Sequence, residues 1–429
     1  MVTPQSNKQI ESILAQAEQL AQKLDWSGAA NKCREAVTIA PENVAALDKL
    51  GWYLSRAKQY GEAIKAYEKL SGLEPNMAKW FYMVGYQYYD QQQWKNAITW
   101  FDQALSRYEN YLKVLYRKGY AHTKLNENEA AIDSLQKCIN VWKNLNDQDK
   151  EKEKNTYSDA CFQLGKLYLS AGLSIKAESI LAEATKFDPQ DGYKLYEYGK
   201  ALLKNQKPEE ALTQLQKADK IEHGKDFIIA SIAQALIDLS RFDEAEKALA
   251  RIPEKYRKEY VWRAVGKVKL AQGKSKEAID AINTGIRLDS KNHNAYFQLG
   301  LAYIADNNYP QAYNALLRAI DIRKSVYNLD FLEAKQKLDE VQENARNNNI
   351  DLTSPPTKSV EAPMGVITKY NNERGFGFIK RNNGEPDLFF HVSCVQNSDK
   401  IQVGRGVNFT VEDSPKGKRA NSITFIDNI

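Results

Sequence analysis

The sequence predicts two folds in one chain, an all-α solenoid of stacked helical hairpins followed by a small all-β barrel of five strands. Three observations carry this. Small residues recur about every 34 positions through most of the chain, an alanine follows each of them twelve positions later, and the last 67 residues exchange helical spacing for short alternating runs. A length of 429 residues has room for both folds.

The recurrence is regular. Gly51, Gly85 and Gly119 stand 34 apart; after one longer interval Gly165, Gly199 and Ala233 do the same, Gly266 follows after 33 and Gly300 after 34. The alanines are Ala63, Ala97, Ala131, Ala177, Ala211, Ala245, Ala278 and Ala312. Small residues suit the crossing of two helices because they let the backbones approach. A single helical pair cannot bury its apolar face, so stacked neighbours must build a continuous core. Leu47, Leu50, Leu54, Tyr67, Leu70 and Pro75 complete the frame around Gly51 and Ala63. With these types at these offsets, residues 47–75 resemble one unit of the tetratricopeptide (TPR) repeat, a helix-turn-helix of 34 residues. The resemblance implies a superhelical solenoid of about nine units plus a capping helix over residues 1–346.

A less regular first unit carries Ala17, Leu20, Ala29, Cys33, Ala36 and Pro41, with alanine in place of the glycine, as befits a terminal capping repeat. The second to fourth units run to about Trp142. Residues 143–155, KNLNDQDKEKEKN, add twelve positions to the spacing. Rich in charge and poor in apolar side chains, they are either an exposed loop or a solvated extension of two helices. The fifth unit resumes with Cys161, Leu164, Gly165, Tyr168, Ala177, Leu181, Ala184 and Pro189, and the sixth to ninth continue to about Lys324. Residues 326–347 read as one last amphipathic helix through Leu329, Leu332, Ala334, Leu338 and Val341. Asn-Asn-Asn and Thr-Ser-Pro-Pro make 347–362 a linker, and 363–429 form the barrel. Its strands are expected at 364–370, 375–380, 387–392, 407–413 and 420–426.

Bulk composition bounds the function. Sixty Lys and Arg against 55 Asp and Glu give a net charge of +5, which permits a nucleic-acid partner without demanding one. Cys33, Cys138, Cys161 and Cys394 are scattered with no C-x-x-C pair, which suggests a reducing compartment and no metal site. Residues 1–10 are polar, so no signal peptide is expected, and no apolar run is long enough for a membrane span. A cytoplasmic protein is the expectation. His122, His223, His293 and His391 are isolated, with no H-E-x-x-H, phosphate-cradling loop or nucleophile elbow. The expectation is therefore no enzyme, no catalytic residue and no cofactor.

Two runs in the tail carry a binding chemistry: Arg374-Gly375-Phe376-Gly377-Phe378-Ile379 and Asp387-Leu388-Phe389-Phe390-His391. Side chains two apart on a strand share a face, so Phe376 projects with Phe378, and Phe389 with His391. The glycines between the rings are expected to keep that face low enough for a base to reach each ring. Each stacked base is worth about 1–3 kcal/mol with little sequence preference. Arg374, Lys369, Lys380 and Arg381 are placed to neutralise phosphates. The two runs resemble the paired RNA-binding signatures of the cold-shock domain, and Gly365-Val366-Ile367 and residues 404–411 also fit that family. The resemblance implies an OB-type barrel that takes single-stranded nucleic acid, RNA ahead of DNA. On this reading Lys369, Tyr370, Arg374, Phe376, Phe378, Lys380, Phe389 and His391 make the contacts.

Departures from the family follow from the same comparison. A tryptophan is usual where this chain has Lys369, an aromatic where it has Val392, and a loop aromatic is missing between Gln396 and Val403. Losing two or three platforms implies affinity nearer micromolar than nanomolar.

The solenoid has its own stripe. On the first helix of each unit, positions 2, 5, 9 and 12 lie opposite the packing positions, and in the TPR family that stripe lines a concave, peptide-binding groove. Here it reads Lys79, Tyr82, Tyr86 and Tyr89, then Lys113, Tyr116 and Tyr120, with Phe162, Lys166, Tyr193, Tyr196, Lys200, Tyr260, Arg263 and Lys267 further on. Tyrosine and arginine are the types enriched where partners dock. The stripe suits an extended peptide with acidic or aromatic residues, or a nucleic-acid strand. The chain thus reads as a non-enzymatic adaptor joining a protein partner to nucleic acid; the alternative is a protein scaffold whose barrel docks protein.

Overall fold

A computed structural model describes residues 4–352, 365–381, 386–395, 401–414 and 417–425. It divides into two compact units, Met1–His223 and Gly224–Ile429.

The first unit stacks six antiparallel helix pairs. They are α1 (Pro4–Gln22) with α2 (Trp26–Ile39), α3 (Val44–Arg56) with α4 (Tyr60–Leu73), and α5 (Ala78–Asp90) with α6 (Trp94–Leu105). There follow α7 (Leu112–Lys124) with α8 (Asn128–Lys143), α9 (Asp147–Ser170) with α10 (Ser174–Phe187), and α11 (Gly192–Lys204) with α12 (Pro208–Glu222). Short side chains start several helices: Asp25 accepts from the Gly28 amide, Asn43 from Ala46 and Asn146 from Asp149. The turn inside each pair passes through left-handed backbone, at Leu24, Lys58, Gln92, Asn126, Gly172 and Gln206. The periodic alanines of this unit are all fully buried.

The recurring glycines answer to a different neighbour from the one the spacing suggests. A Cβ on Gly51 would lie 2.6 Å from the Tyr67 ring, one on Gly85 2.7 Å from the Phe101 ring, and one on Gly165 2.4 Å from Leu181. Each of these large residues sits sixteen positions after its glycine, four beyond the alanine. The glycine thus makes room for a bulky side chain, and the alanine lets its own backbone come close. At Gly85 the Ala97 carbonyl is 3.2 Å from the position a Cβ would take.

Of the two alternatives for 143–155, the structure holds the helical one. Only 144–146 leave the helix, and α9 runs for 24 residues from Asp147. Trp142 lies flat on Tyr157, with ring centroids 3.8 Å apart, and Phe187 meets both edge-on at 5.2 Å. Nearby, the buried Lys194 ammonium is held by Ser158 at 3.0 Å, Asp159 at 2.8 Å and Asp188 at 3.1 Å. Those carboxylates keep its pKa above the ordinary lysine value although burial opposes them.

The second unit continues the helical pairs. They are α13 (Asp226–Asp238) with α14 (Phe242–Ala250), α15 (Glu259–Ala271) with α16 (Ser275–Leu288), and α17 (His293–Ala305) with α18 (Tyr309–Tyr327). A single helix, α19 (Leu332–Asn347), packs on α18 through Ala334 and Val341. One expectation needs correcting here. The last helix does not begin at 326: α18 runs on to Tyr327, Asn328 ends it in left-handed backbone at φ 51°, and Phe331 turns back into the core. Most of the expected linker, 353–362, lies outside the described residues.

His293 ties that corner together. Arg323 donates to its Nε2 at 2.7 Å, and Tyr327 and Phe331 meet the imidazole edge-on at 5.3 Å each. Burial first, and the Arg323 and Arg263 cations next, hold its pKa below the usual histidine value. A depressed folded pKa means the unfolded chain binds the proton more readily. The contribution is therefore complete above the unfolded value of about 6.5 and is lost as the pH falls through it. Thermal melts at pH 7, 6 and 5 should show wild type losing more stability on acidification than His293→Gln; parallel declines would contradict this.

The barrel closes from five strands, β1 (Gly365–Asn371), β2 (Phe376–Arg381), β3 (Leu388–His391), β4 (Gly406–Ser414) and β5 (Gly417–Phe425), in the order β1-β2-β3-β5-β4. β4 also pairs with β1, and the β3–β5 contact is the parallel one. Ile367, Ile379, Leu388, Phe390, Val407, Phe409, Ala420 and Ile423 fill the interior. The fifth strand begins at Gly417, three residues before the sequence expectation. Closure removes every sheet edge.

Candidate functional site

The outer face of β1–β3 follows from the register. Phe376 pairs with His391 and Phe378 with Phe389 across β2–β3, while Lys369 pairs with Phe378 and Asn371 with Phe376 across β1–β2. Paired residues share a face, so one patch holds Lys369, Asn371, Phe376, Phe378, Phe389 and His391. The three phenylalanine rings form a cluster with centroids 5.8 to 6.4 Å apart. None belongs to the barrel core, and Phe389 is 39% exposed. His391 accepts the Ser393 amide on Nδ1 at 3.3 Å, which leaves Nε2 as the donor of the neutral ring. Lys380 is exposed on the same side of β2, and Arg374 is exposed in the β1–β2 turn, its amide donating to Asn371 at 3.0 Å. Arg381, by contrast, donates to the Pro386 carbonyl at 2.9 Å.

Two expectations change. Tyr370 is not on the patch: the register slips between Ile367 and Lys369, and the ring turns toward the interior to lie parallel on Phe390 at 6.0 Å. A bulge of this kind carries a strand's side chains from one face to the other. Gly377, too, serves the inside. A Cβ there would meet the Lys369 carbonyl at 2.4 Å and the Phe390 ring at 2.5 Å, so the glycine admits Phe390 rather than lowering the outer face. Phe390 is fully buried, as its inward position requires. The loop whose aromatic is missing lies largely at 396–400, outside the described residues.

On the helical stripe, the structure gathers part of the predicted set. Tyr82, Tyr86, Tyr89 and Tyr120 form one aromatic cluster on α5 and α7: Tyr82–Tyr86 6.0 Å, Tyr86–Tyr89 6.4 Å and Tyr89–Tyr120 5.7 Å. Two members were not foreseen. Trp94 meets Tyr89 edge-on at 5.2 Å, and Arg117 lies over Tyr86 at 4.5 Å and Tyr89 at 5.3 Å, donating to the Tyr82 hydroxyl at 3.0 Å. Trp52, 46% exposed, also holds a stripe position, 34 residues before Tyr86, and that spacing was its available signal. Tyr116 and Phe162 instead pack on the core around Leu135, Cys138 and Leu164.

The cations of the stripe are mostly paired. Lys79 meets Asp48 at 2.6 Å, Lys113 meets Glu153 at 3.2 Å and Lys200 meets Glu197 at 2.8 Å. Lys166 and Lys200 also lie over Phe162 and Tyr196. In the second unit Arg263 meets Glu259 at 2.9 Å and Lys267 donates to Gln234 at 2.8 Å.

Burial pushes the thiols of Cys33 and Cys161 up to about 12, and that of Cys138 up as well, which keeps all three protonated. His122 faces Glu127 at 2.6 Å, whereas the Cys138 thiol donates to the Leu112 carbonyl. Among the described residues no group of three His, Cys, Asp or Glu side chains could hold a metal ion, and no helix is long and apolar enough to cross a membrane.

Comparison with known proteins matches both halves. Residues 364–426 match the family described as 'Cold-shock' DNA-binding domain, and 264–325 match a tetratricopeptide repeat. Residues 56–138 and 153–252 match the family described as anaphase-promoting complex, cyclosome, subunit 3. Cold shock protein ScoF of Streptomyces coelicolor is 39% identical over 62 residues, 14% of this chain and 92% of that protein. Cold shock protein CspC of Bacillus subtilis is 38% identical over 62 residues, with 14% and 92% covered. Among solved structures, YrrB, titled a TPR protein with an unusual peptide-binding site, is similar at 24% identity and TM-score 0.37, over 45% of this chain and 93% of that one.

Proposed function

Because this chain is a tetratricopeptide-repeat protein with a C-terminal cold-shock domain, we propose that it is a non-enzymatic cytoplasmic adaptor. On this reading residues 363–429 bind single-stranded nucleic acid, RNA ahead of DNA, and residues 1–346 hold a protein partner, with 347–362 as the tether. Both families are binding modules, so the proposed role is recruitment rather than turnover. The observation that carries the nucleic-acid half is the cluster of Phe376, Phe378 and Phe389 outside the barrel core, with His391 beside it and Lys369 and Lys380 on its rim. Rings joined in one patch, Phe389 exposed and Phe376 and Phe378 half-buried, are costly in water unless something covers them, and the flat faces of unpaired bases fit. Tethering would present each ligand to the other at an effective concentration on the order of millimolar.

A labelled poly-pyrimidine strand tests this by electrophoretic shift. With Lys369, Arg374 and Lys380 each neutralising a phosphate, the log–log salt slope should be about −2, a loss of roughly 10–20-fold between 50 and 200 mM salt. A barrel that docks protein is the second reading, favoured by Lys369 and Val392 standing where the family has aromatics. The absence of any shift, or a shift indifferent to salt, would select it.

A further inference from the structure

Arg117 and Lys124, the latter over the Tyr120 ring at 4.9 Å, are cations of the α5–α7 cluster without an ion pair among the described residues, and of the two Arg117 is the half-buried one. Lys118, beside it, meets Asp102 at 2.6 Å, and Lys79 and Lys113 on the stripe have Asp48 and Glu153. Arg117 has no carboxylate within 4.0 Å among the described residues; its partners are the Tyr82 hydroxyl and the faces of Tyr86 and Tyr89. Burial raises the Asp90 carboxyl on the same cluster above the ordinary aspartate value while the nearby Arg117 charge pulls it down, without the two forming an ion pair. A half-buried guanidinium is thus held by tyrosines rather than by an ion pair, with the Asp90 carboxylate acting on it only from beyond 4.0 Å and donors to spare. Its planar fork matches a carboxylate in two parallel hydrogen bonds. Around it, Trp94 and Tyr120 widen the aromatic surface, with ring centroids 6.2 Å apart.

We infer that Arg117, with Tyr86, Tyr89, Trp94 and Tyr120, recognises a peptide that carries an acidic side chain next to an aromatic one. The inference rests on the reading of the stripe as a partner-binding groove and names the chemistry of the partner. Nucleic acid fits less well here. A polyanion would have to displace the carboxylates that already neutralise Lys79, Lys113 and Lys118, whereas one acidic side chain displaces none.

The test is selection of a random peptide library displayed on phage, with the full-length protein as bait and its Arg117→Gln variant in parallel. Peptides enriched on wild type should carry Asp or Glu beside Phe, Tyr or Trp. By fluorescence polarisation the best of them should bind Arg117→Gln roughly 10–100-fold more weakly. Its Glu→Gln counterpart should lose as much on wild type and little more on the variant. If Arg117→Gln melts early, Arg117→Lys, which keeps the charge and loses the fork, should give a smaller loss in the same direction. Winning peptides without carboxylates, or equal binding by both proteins, overturn the Arg117 assignment and leave the groove reading in place. No enrichment at all overturns both. Oligonucleotide binding that survives Phe376→Ala with Phe389→Ala but is lost with Arg117→Gln assigns the cluster to nucleic acid and equally overturns the inference.

Discussion

Replacing Phe376 and Phe389 together by alanine is expected to abolish oligonucleotide binding and leave the fold intact. The two rings stack on each other at 5.8 Å and stand on adjacent strands, so a strand of bases crossing β2 and β3 would meet both. At about 1–3 kcal/mol per stacked base, the double substitution costs roughly 30-fold to 10⁴-fold in affinity. From a micromolar starting point that is beyond detection by electrophoretic shift. Stability should hardly change, because the interior is built from Ile367, Ile379, Leu388, Phe390, Val407, Phe409, Ala420 and Ile423, and neither ring belongs to it. Far-UV circular dichroism and a thermal melt of the full chain provide the control. Undiminished binding by a folded double variant would remove the platform from the mechanism. The scaffold reading would then stand.

What the sequence revealed and what it hid divide along physical lines. The repeat was legible because one close contact per unit dictates residue size at a fixed offset, and the barrel patch was legible because strand alternation puts Phe376 with Phe378. The reach of a contact was not legible. Spacing shows that Gly51 and Ala63 go together, but only coordinates show that Gly51 clears space for Tyr67. Parity arguments fail at a bulge, which is why Lys369 faces out although Ile367, two residues before it, faces in, and why Tyr370 then turns inward. Arg117 was hidden for a related reason. It follows Tyr116 directly and falls outside the stripe positions, yet its long side chain reaches the rings of the preceding helix pair. A long flexible side chain is poorly predicted by the angle at which its Cα leaves the helix.

Trp142→Ala should cost about 3–5 kcal/mol, as deletion of a buried tryptophan does, and the damage should be local. The indole is packed face to face on Tyr157 and edge-on to Phe187, and its Nε1 donates to the Lys150 carbonyl at 3.1 Å, so it clamps the charged start of α9 to the end of α8. Without it the first turns of α9 retain the i,i+3 pairs Lys152–Asp149 and Lys154–Glu151, together with the Lys113–Glu153 bridge. Exposed pairs of that kind contribute only about 0.2–1 kcal/mol each. They cannot offset the loss, and a segment this rich in charge has little apolar surface of its own to bury. Hydrogen exchange should therefore show residues 147–156 losing protection while α15 to α18 keep theirs, because a repeat array couples chiefly to its nearest neighbours. Tyr157→Phe keeps the stacked ring and gives up only a 3.3 Å hydroxyl contact to Glu183, so its effect should be slight. If the amides of 147–156 stay protected in Trp142→Ala, the extension is held by its ion pairs after all. In that case the start of α9, residues 147–156, is a self-supporting helix rather than one anchored by its neighbours' rings.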